Sequence, residues 1–347
     1  MGIEKVYLRY TRSKLLVIFI LSLLLFFLFL LALSVGAVNL SPGRVWRAFF
    51  SRIFPLSSDH LSEVIVWELR LPRILLALSA GAGLALAGAV CQGLLRNPLA
   101  SPYTLGVSSA AGFGASLGLV LGLGVCGGEY LVVINAFLFA LLSTFLVWGL
   151  SIKKGMSSES IILAGIAVMY LFSSLTSILQ YMAEPRALQG VVFWLMGGLY
   201  HATWKRFFPV FFITLFCFPP LLRYSWDLNA LAMGDETAKG LGVNVGRVRG
   251  VGLVLFSLLT AGIVSFTGTI GFIGLVSPHL ARMLVGGDHR FVLPCSCLMG
   301  ALLLLASDTL ARSLIAPTEI PVGAVTSLLG IPFFLHLLMK KRREFWS

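Results

Sequence analysis

The feature that limits this chain most is the run from Leu15 to Val38, which holds no charged residue. In hydrocarbon every backbone N–H and C=O must be satisfied within the segment, so such a run can only be a helix. About 20 apolar residues cross the roughly 30 Å core of a bilayer. Ten candidate spans read off the sequence: 15–37, 73–95, 104–125, 130–152, 159–181, 191–222 with a break, 250–268, 270–285, 292–314 and 320–339. The composition agrees, with 58% hydrophobic residues, 12% charged residues and a mean hydropathy of +0.95. The expectation is an all-α, polytopic membrane protein, with one transmembrane domain over 1–347. The first run is too long for the apolar core of a signal peptide and lacks a convincing cleavage site, so it counts as a retained span.

Two regions depart from plain spans. Gly268, Gly271, Gly274 and Pro278 interrupt 250–285. Within 191–222, Trp194, Gly197 and Gly198 precede the polar group His201, Lys205 and Arg206, which points to a short surface helix before the true span. Small residues crowd other spans. Gly81, Gly83 and Gly88 stand among alanines on the second, and Gly106, Gly112, Gly114 and Gly118 mark the third. Lipid supplies no hydrophobic drive between helices, so close approach through Gly and Ala does the packing. These spans are expected inside the bundle, wrapped by leucine-rich ones such as 15–37.

The net charge of +12 follows from where lysines and arginines gather. With an even number of spans, 17 of the 26, from Lys5 to Arg343, fall on the side of both termini. The other nine, including Arg44, Arg70, Arg186 and Arg312, fall opposite. The positive-inside rule therefore places both termini and the 229–249 loop in the cytoplasm. The largest piece on the other side is 38–72. No basic stretch is interleaved with aromatics, so nucleic acid is not an expected partner. The five cysteines fall mostly in apolar runs and read as small core residues. Neither they nor the five histidines have metal-ligand spacing, and no cofactor is expected.

Amid this apolar chain lies one long polar interruption, Asn229 to Asn244. Leu228, Leu231 and Ala232 recur at helical spacing before Gly234. Asp235 and Glu236 suit a helix N-terminus, and Lys239 follows Asp235 by four residues. Gly240 and Gly242 can end the turn. The pattern predicts two short helices joined at Gly234, outside the bilayer; the plain alternative is a solvated loop.

Several motifs then add up. Arg70-Leu-Pro-Arg73 precedes the second span, and Gly88-Ala-Val-Cys-Gln-Gly-Leu-Leu-Arg-Asn-Pro-Leu-Ala-Ser-Pro102 ends it. Leu105-Gly-Val-Ser-Ser-Ala-Ala-Gly112, Gly234-Asp-Glu-Thr-Ala-Lys-Gly-Leu-Gly242, Gly271-Phe-Ile-Gly-Leu-Val-Ser-Pro-His279, Asp288-His-Arg290 and Glu319-Ile-Pro-Val-Gly323 follow in order. Each is weak alone, but together, over about residues 60 to 340, they resemble the FecCD-type permease family. That family imports iron–siderophores, haem and cobalamin.

The resemblance implies a type II ABC importer permease in the cytoplasmic membrane, with a second permease subunit, two ATP-binding cassette ATPases and a periplasmic or lipid-anchored binding protein. No G-x-x-x-x-G-K-[ST] phosphate loop occurs, so the energy must come from a partner. The resemblance makes 229–244 a pair of coupling helices, with Leu231, Gly234, Asp235, Glu236, Thr237, Lys239, Leu241 and Gly242 at the ATPase. It makes Ser157 and Ser158 a cytoplasmic gate, with a helix N-cap as the alternative. It makes Arg70, Arg73 and Arg312 docking residues for the binding protein. The alternatives there are interfacial snorkelling and an intrahelical Asp308–Arg312 pair. It also implies a passage at the dimer interface lined by the fifth and tenth spans and the short helix near 191–198.

Asn97, Pro98 and Pro102 read as a structural reversal, and His279 as a local cap or pair. Two features depart from the family: Ser277, where an apolar residue is usual, and the unmatched stretch Pro55 to His60. An ion-coupled transporter would need ionisable groups near mid-membrane; Asp308 is the one good candidate, and it lies near an outer end. An intramembrane enzyme would need a clustered catalytic set, which the sequence lacks.

Overall fold

A computed structural model describes residues 3–339 apart from 37, 39, 53, 55–58, 316 and 317. The basic group Lys340 to Arg343, Ala316-Pro317 and most of the unmatched stretch after Phe54 lie outside the described residues. Helix α1 (Ile3–Ser34) is the first span; α2 (Pro42–Phe50) and α3 (His60–Val64) fill the loop after it. A π-helical turn, Ile65–Arg70, then joins α3 to α4 (Leu71–Leu95). The second span is thus one rod from His60 to Leu95, not a helix starting at 73. By sequence, Arg70-Leu-Pro-Arg73 stands before the span. In the fold a π turn, with Leu71 N bonded to Val66 O, runs directly into α4, and Pro72 takes a place in the first turn of that helix.

The remaining helices are α5 (Val107–Leu121), α6 (Leu131–Ile152), α7 (Ser158–Met182), α8 (Pro185–Met196), α9 (Trp204–Arg223), α10 (Ser225–Ala232), α11 (Asp235–Gly240), α12 (Val245–Thr267), α13 (Ile273–Val285), α14 (His289–Ala311) and α15 (Val322–Met339). Among the described residues, seven helical stretches are long and apolar enough to cross a membrane, and α5, α13 and α15 add shorter apolar helices. Each expected span therefore has its helix. The 13 residues of α13 reach only about 20 Å, consistent with the glycine breaks before it. The composite region resolves into α8, which begins at Pro185, and α9.

Helix α4 is the central rod. A Cβ at Gly88 would collide with Gly274 O of α13, and Gly81 and Gly300 meet backbone to backbone where α4 crosses α14. The small residues thus let three helices touch without side chains between them, as the sequence suggested. In contrast α1 exposes Leu16, Phe19, Leu24 and Phe27. Helices α7 and α15 also carry exposed apolar faces, with Leu163, Tyr170, Leu171 and Ile178 on one and Leu328, Leu329 and Ile331 on the other.

Candidate functional site

The polar interruption folds as the two short helices α10 and α11, meeting at Gly234. The first begins at Ser225, earlier than the polar residues alone suggested. Gly234 has φ +112° and Gly242 φ +86°, conformations that side-chain-bearing residues rarely adopt. Both ends of α11 therefore require glycine. Helix α10 is bolted down: Leu228 and Leu231 are fully buried, Asn229 Nδ2 donates to Asp288 Oδ1 (2.9 Å), and His289 N donates to Asn229 Oδ1 (2.8 Å). Asp288 also caps α14 and pairs with Arg290 (2.6 Å). Burial alone would raise its carboxyl, but the bonds donated by Arg290 and Asn229 lower it to about 2.

Helix α11 shows one face outward. Glu236, Thr237, Lys239, Leu241 and Gly242 are exposed, with Met233 beside them. Lys239 Nζ reaches Glu236 at 2.8 Å, so Lys239 pairs three residues back rather than with Asp235. Two residues expected on this face lie elsewhere. Leu231 is buried within the chain, and Asp235 turns inward. The apolar spacing that marks Leu231 as interfacial marks a core position equally well.

Asp235 meets Arg249, which sits in the second turn of α12 and is 2% exposed. Arg249 Nη1 and Nη2 donate to the two Asp235 carboxylate oxygens at 2.7 and 2.9 Å. Nε donates to Leu94 O at the end of α4 (3.2 Å), Nη1 also to Met156 O (3.2 Å), and Nη2 also to Ser158 Oγ (2.8 Å). A guanidinium has five N–H donors, and these five bonds match them. Arg96 approaches Asp235 from the other side at 3.6 Å. Burial would raise the Asp235 carboxyl, but Arg249 and then Arg96 hold it below the ordinary aspartate value. Sequence reasoning passed over Arg249 as one more cytoplasmic charge. The available signal was an arginine at the threshold of an apolar span, 14 residues after a lone aspartate.

Ser157 caps α7: its Oγ accepts from Ser160 N at 3.2 Å. Ser158, next to it, holds Arg249. The loop leading to them has Gly155 at φ +70° and Met156 at φ +56°.

At the opposite end of α14 lies a second network. Arg73 Nη2 pairs with Asp308 (2.8 Å) and Nη1 with Glu319 (2.9 Å), and Arg312 Nε lies 3.5 Å from Asp308. Arg70 Nη1 donates to Leu33 O and Ser34 O and its Nη2 to Val38 O; Arg312 Nη2 donates to Ala32 O. Two of these cations thus cap the C-terminal carbonyls of α1, where positive charge is favourable. Arg70, Arg73 and Arg312, expected at the docking face, are all buried and hold partners of their own chain. The reason is tertiary, since Asp308 lies 235 residues from Arg73. The intrahelical Asp308–Arg312 pair is present.

Among the described residues, no group of three or more His, Cys, Asp or Glu side chains is placed to hold a metal ion. Among the described residues, ten apolar helices, the glycine-packed rod α4 one of them, with one anchored helix pair presented outside them, make a multi-pass membrane protein of the transport type. The chain belongs to the FecCD transport family, whose profile matches residues 24–340. It is 38% identical to the molybdate import system permease protein MolB of Haemophilus influenzae, over 94% of this chain and 96% of that one. It is 42% identical to the cobalamin import system permease protein BtuC of Halobacterium salinarum, over 86% of this chain and 80% of that one. A solved structure described as an inward-facing conformation of a metal-chelate type ABC transporter superposes with TM-score 0.83 at 38% identity, covering 93% of this chain and 98% of that one.

Proposed function

We propose that the whole chain acts as one transmembrane unit, the permease of an ABC importer that moves a metal chelate inward across the cytoplasmic membrane. The cargo class is iron(III)–siderophore, haem or cobalamin. Both termini and α10–α11 face the cytoplasm, where two ATPase subunits supply the energy. A binding protein delivers cargo on the other side. A second copy of the chain packs against the apolar faces of α7 and α15, and the cargo path runs at that interface. The permease itself carries out no covalent chemistry.

The observation that carries this reading is the build of α11. It exposes Glu236 and Lys239, with Met233 and Leu241 exposed on either side, while Asp235, on the same short helix, is tied to the transmembrane body through Arg249. A rigid helix pair of this kind can pass a domain movement inward. Ser157 and Ser158 at the start of α7 form the cytoplasmic gate, with the N-cap as their resting structure. An ion-coupled carrier is not favoured, because Asp308 is paired with Arg73 and Arg312.

Co-expression with the cognate ATPase tests the reading. A complex of two permeases and two ATPases is expected by light scattering, and the chain alone should hydrolyse no ATP. Proteoliposomes holding the complex, given binding protein loaded with ferric siderophore, haem or cyanocobalamin, should accumulate one of them. Failure of the ATPase to co-purify, or ATP hydrolysis by this chain alone, would end the proposal.

A further inference from the structure

We propose that Arg249 is the positioning residue that links α11 to the gate loop, a buried strut through which movement of the coupling helix changes the start of α7. The inference rests on the reading above, that α11 meets the ATPase and that Ser157 and Ser158 lie at the gate.

The argument begins with the bonds. Arg249 ties together the end of α4, the loop before α7, the first residue of α7 and α11, while itself belonging to α12. Every donor has an acceptor, so none of these elements can shift without breaking or redirecting a charge-assisted bond. Such bonds are short and directional. A planar fork holds several partners at fixed angles, and a lysine ammonium cannot replace it as a geometric element.

The elements on either side of the strut are the ones able to move. The six residues of α11 are joined to the rest by Gly234 and Gly242, both in positive φ. These positions can absorb a rotation of α11 as a unit. On the other side, Gly155 and Met156 are consecutive residues in the left-handed region, and Met156 carries a side chain there. That backbone costs free energy unless its surroundings hold it. Arg249 holds it, through Met156 O and Ser158 Oγ. A displacement of α11 that pulls on Asp235 therefore unloads a cation that braces this loop from outside, beyond the loop's own backbone bonds to Ser151 O and Ile152 O.

A purely structural arginine would make the same bonds, so the test must read transmission and not stability. The full chain is assembled with its ATPase in nanodiscs, with exposed Cys126 replaced by serine and a reporter at Ser157→Cys. The rate of maleimide labelling at the reporter is compared between the nucleotide-free and ADP–vanadate states. In the parent a rate ratio of about fivefold or more is expected. In Arg249→Lys the ratio should collapse towards one while ATP hydrolysis stays within about twofold. Asp235→Asn keeps the shape of the contact and removes its charge, so it should lower the ratio part of the way. It decides the matter alone if Arg249→Lys does not assemble. A full parent ratio retained in either variant overturns the strut, as does a parallel loss of hydrolysis and labelling. A ratio of one in the parent itself overturns the gate reading beneath it, so the two failures are separate.

Discussion

Two arginine–carboxylate networks sit at opposite ends of α4, and they join different kinds of things. The far one, Arg73 with Asp308, Arg312 and Glu319, staples α4 to α14 and to the entry of α15. Those helices already meet backbone to backbone at Gly81 and Gly300, so the charges add stiffness to stiff elements. The other, Arg249 with Asp235 and Ser158, grips a six-residue helix and a loop with left-handed backbone. The same chemistry therefore serves as a staple where glycine packing surrounds it and as a link where glycine hinges do.

The comparison breaks most readily at the staple. Asp308→Ala leaves two buried guanidinium groups without their shared carboxylate, and removing one partner of a buried pair costs about 3–5 kcal/mol. Thermal unfolding in detergent, followed with a thiol-reactive dye, should show the largest loss of any single change discussed. A shift under about 1 kcal/mol would mean that the far end is wet and the distinction between the two networks is lost.

A smaller effect is expected where α10 is anchored. Asp288→Ala removes the α14 cap and the acceptor for Asn229, at a cost of about 0.5–2 kcal/mol. If co-purification with the ATPase falls in step with melting temperature, α10 and α11 behave as one body. If melting alone changes, α11 moves independently, which sharpens the contrast with the staple.

Glu236→Arg should barely touch stability, within about 0.5 kcal/mol, because Glu236 is exposed. Association with the ATPase should nevertheless be lost, measured by pull-down from membranes. Association at the parent level would remove α11 from the coupling surface.

Acid should do least. The folded carboxyl of Asp288 titrates near 2 and that of Asp235 is also lowered. A depressed carboxyl contributes fully above its ordinary value and loses that contribution only as pH falls through the folded one. Melting temperature should therefore be flat, as far as these two groups decide it, from pH 8 to pH 5. A loss near pH 6 would show that another titrating group holds the α11 end.

How much of this was legible beforehand divides along a physical line. The ten helices, the interior place of α4, the Ser157 cap and the glycine junction at 234 all depend on residues close in sequence. Backbone satisfaction in hydrocarbon is a demand each segment meets alone, a cap acts within one turn, and a left-handed turn concerns one residue. The sequence by itself could determine those. It could not decide that Arg70 and Arg312 cap α1, that Arg73 finds Asp308, that Leu231 packs inward, or that Arg249 gathers Leu94, Met156, Ser158 and Asp235. A basic residue at a membrane edge reads the same whether it faces water, lipid headgroups or a buried carboxylate. Which of these it meets depends on how distant helices cross, and only the tertiary packing sets that.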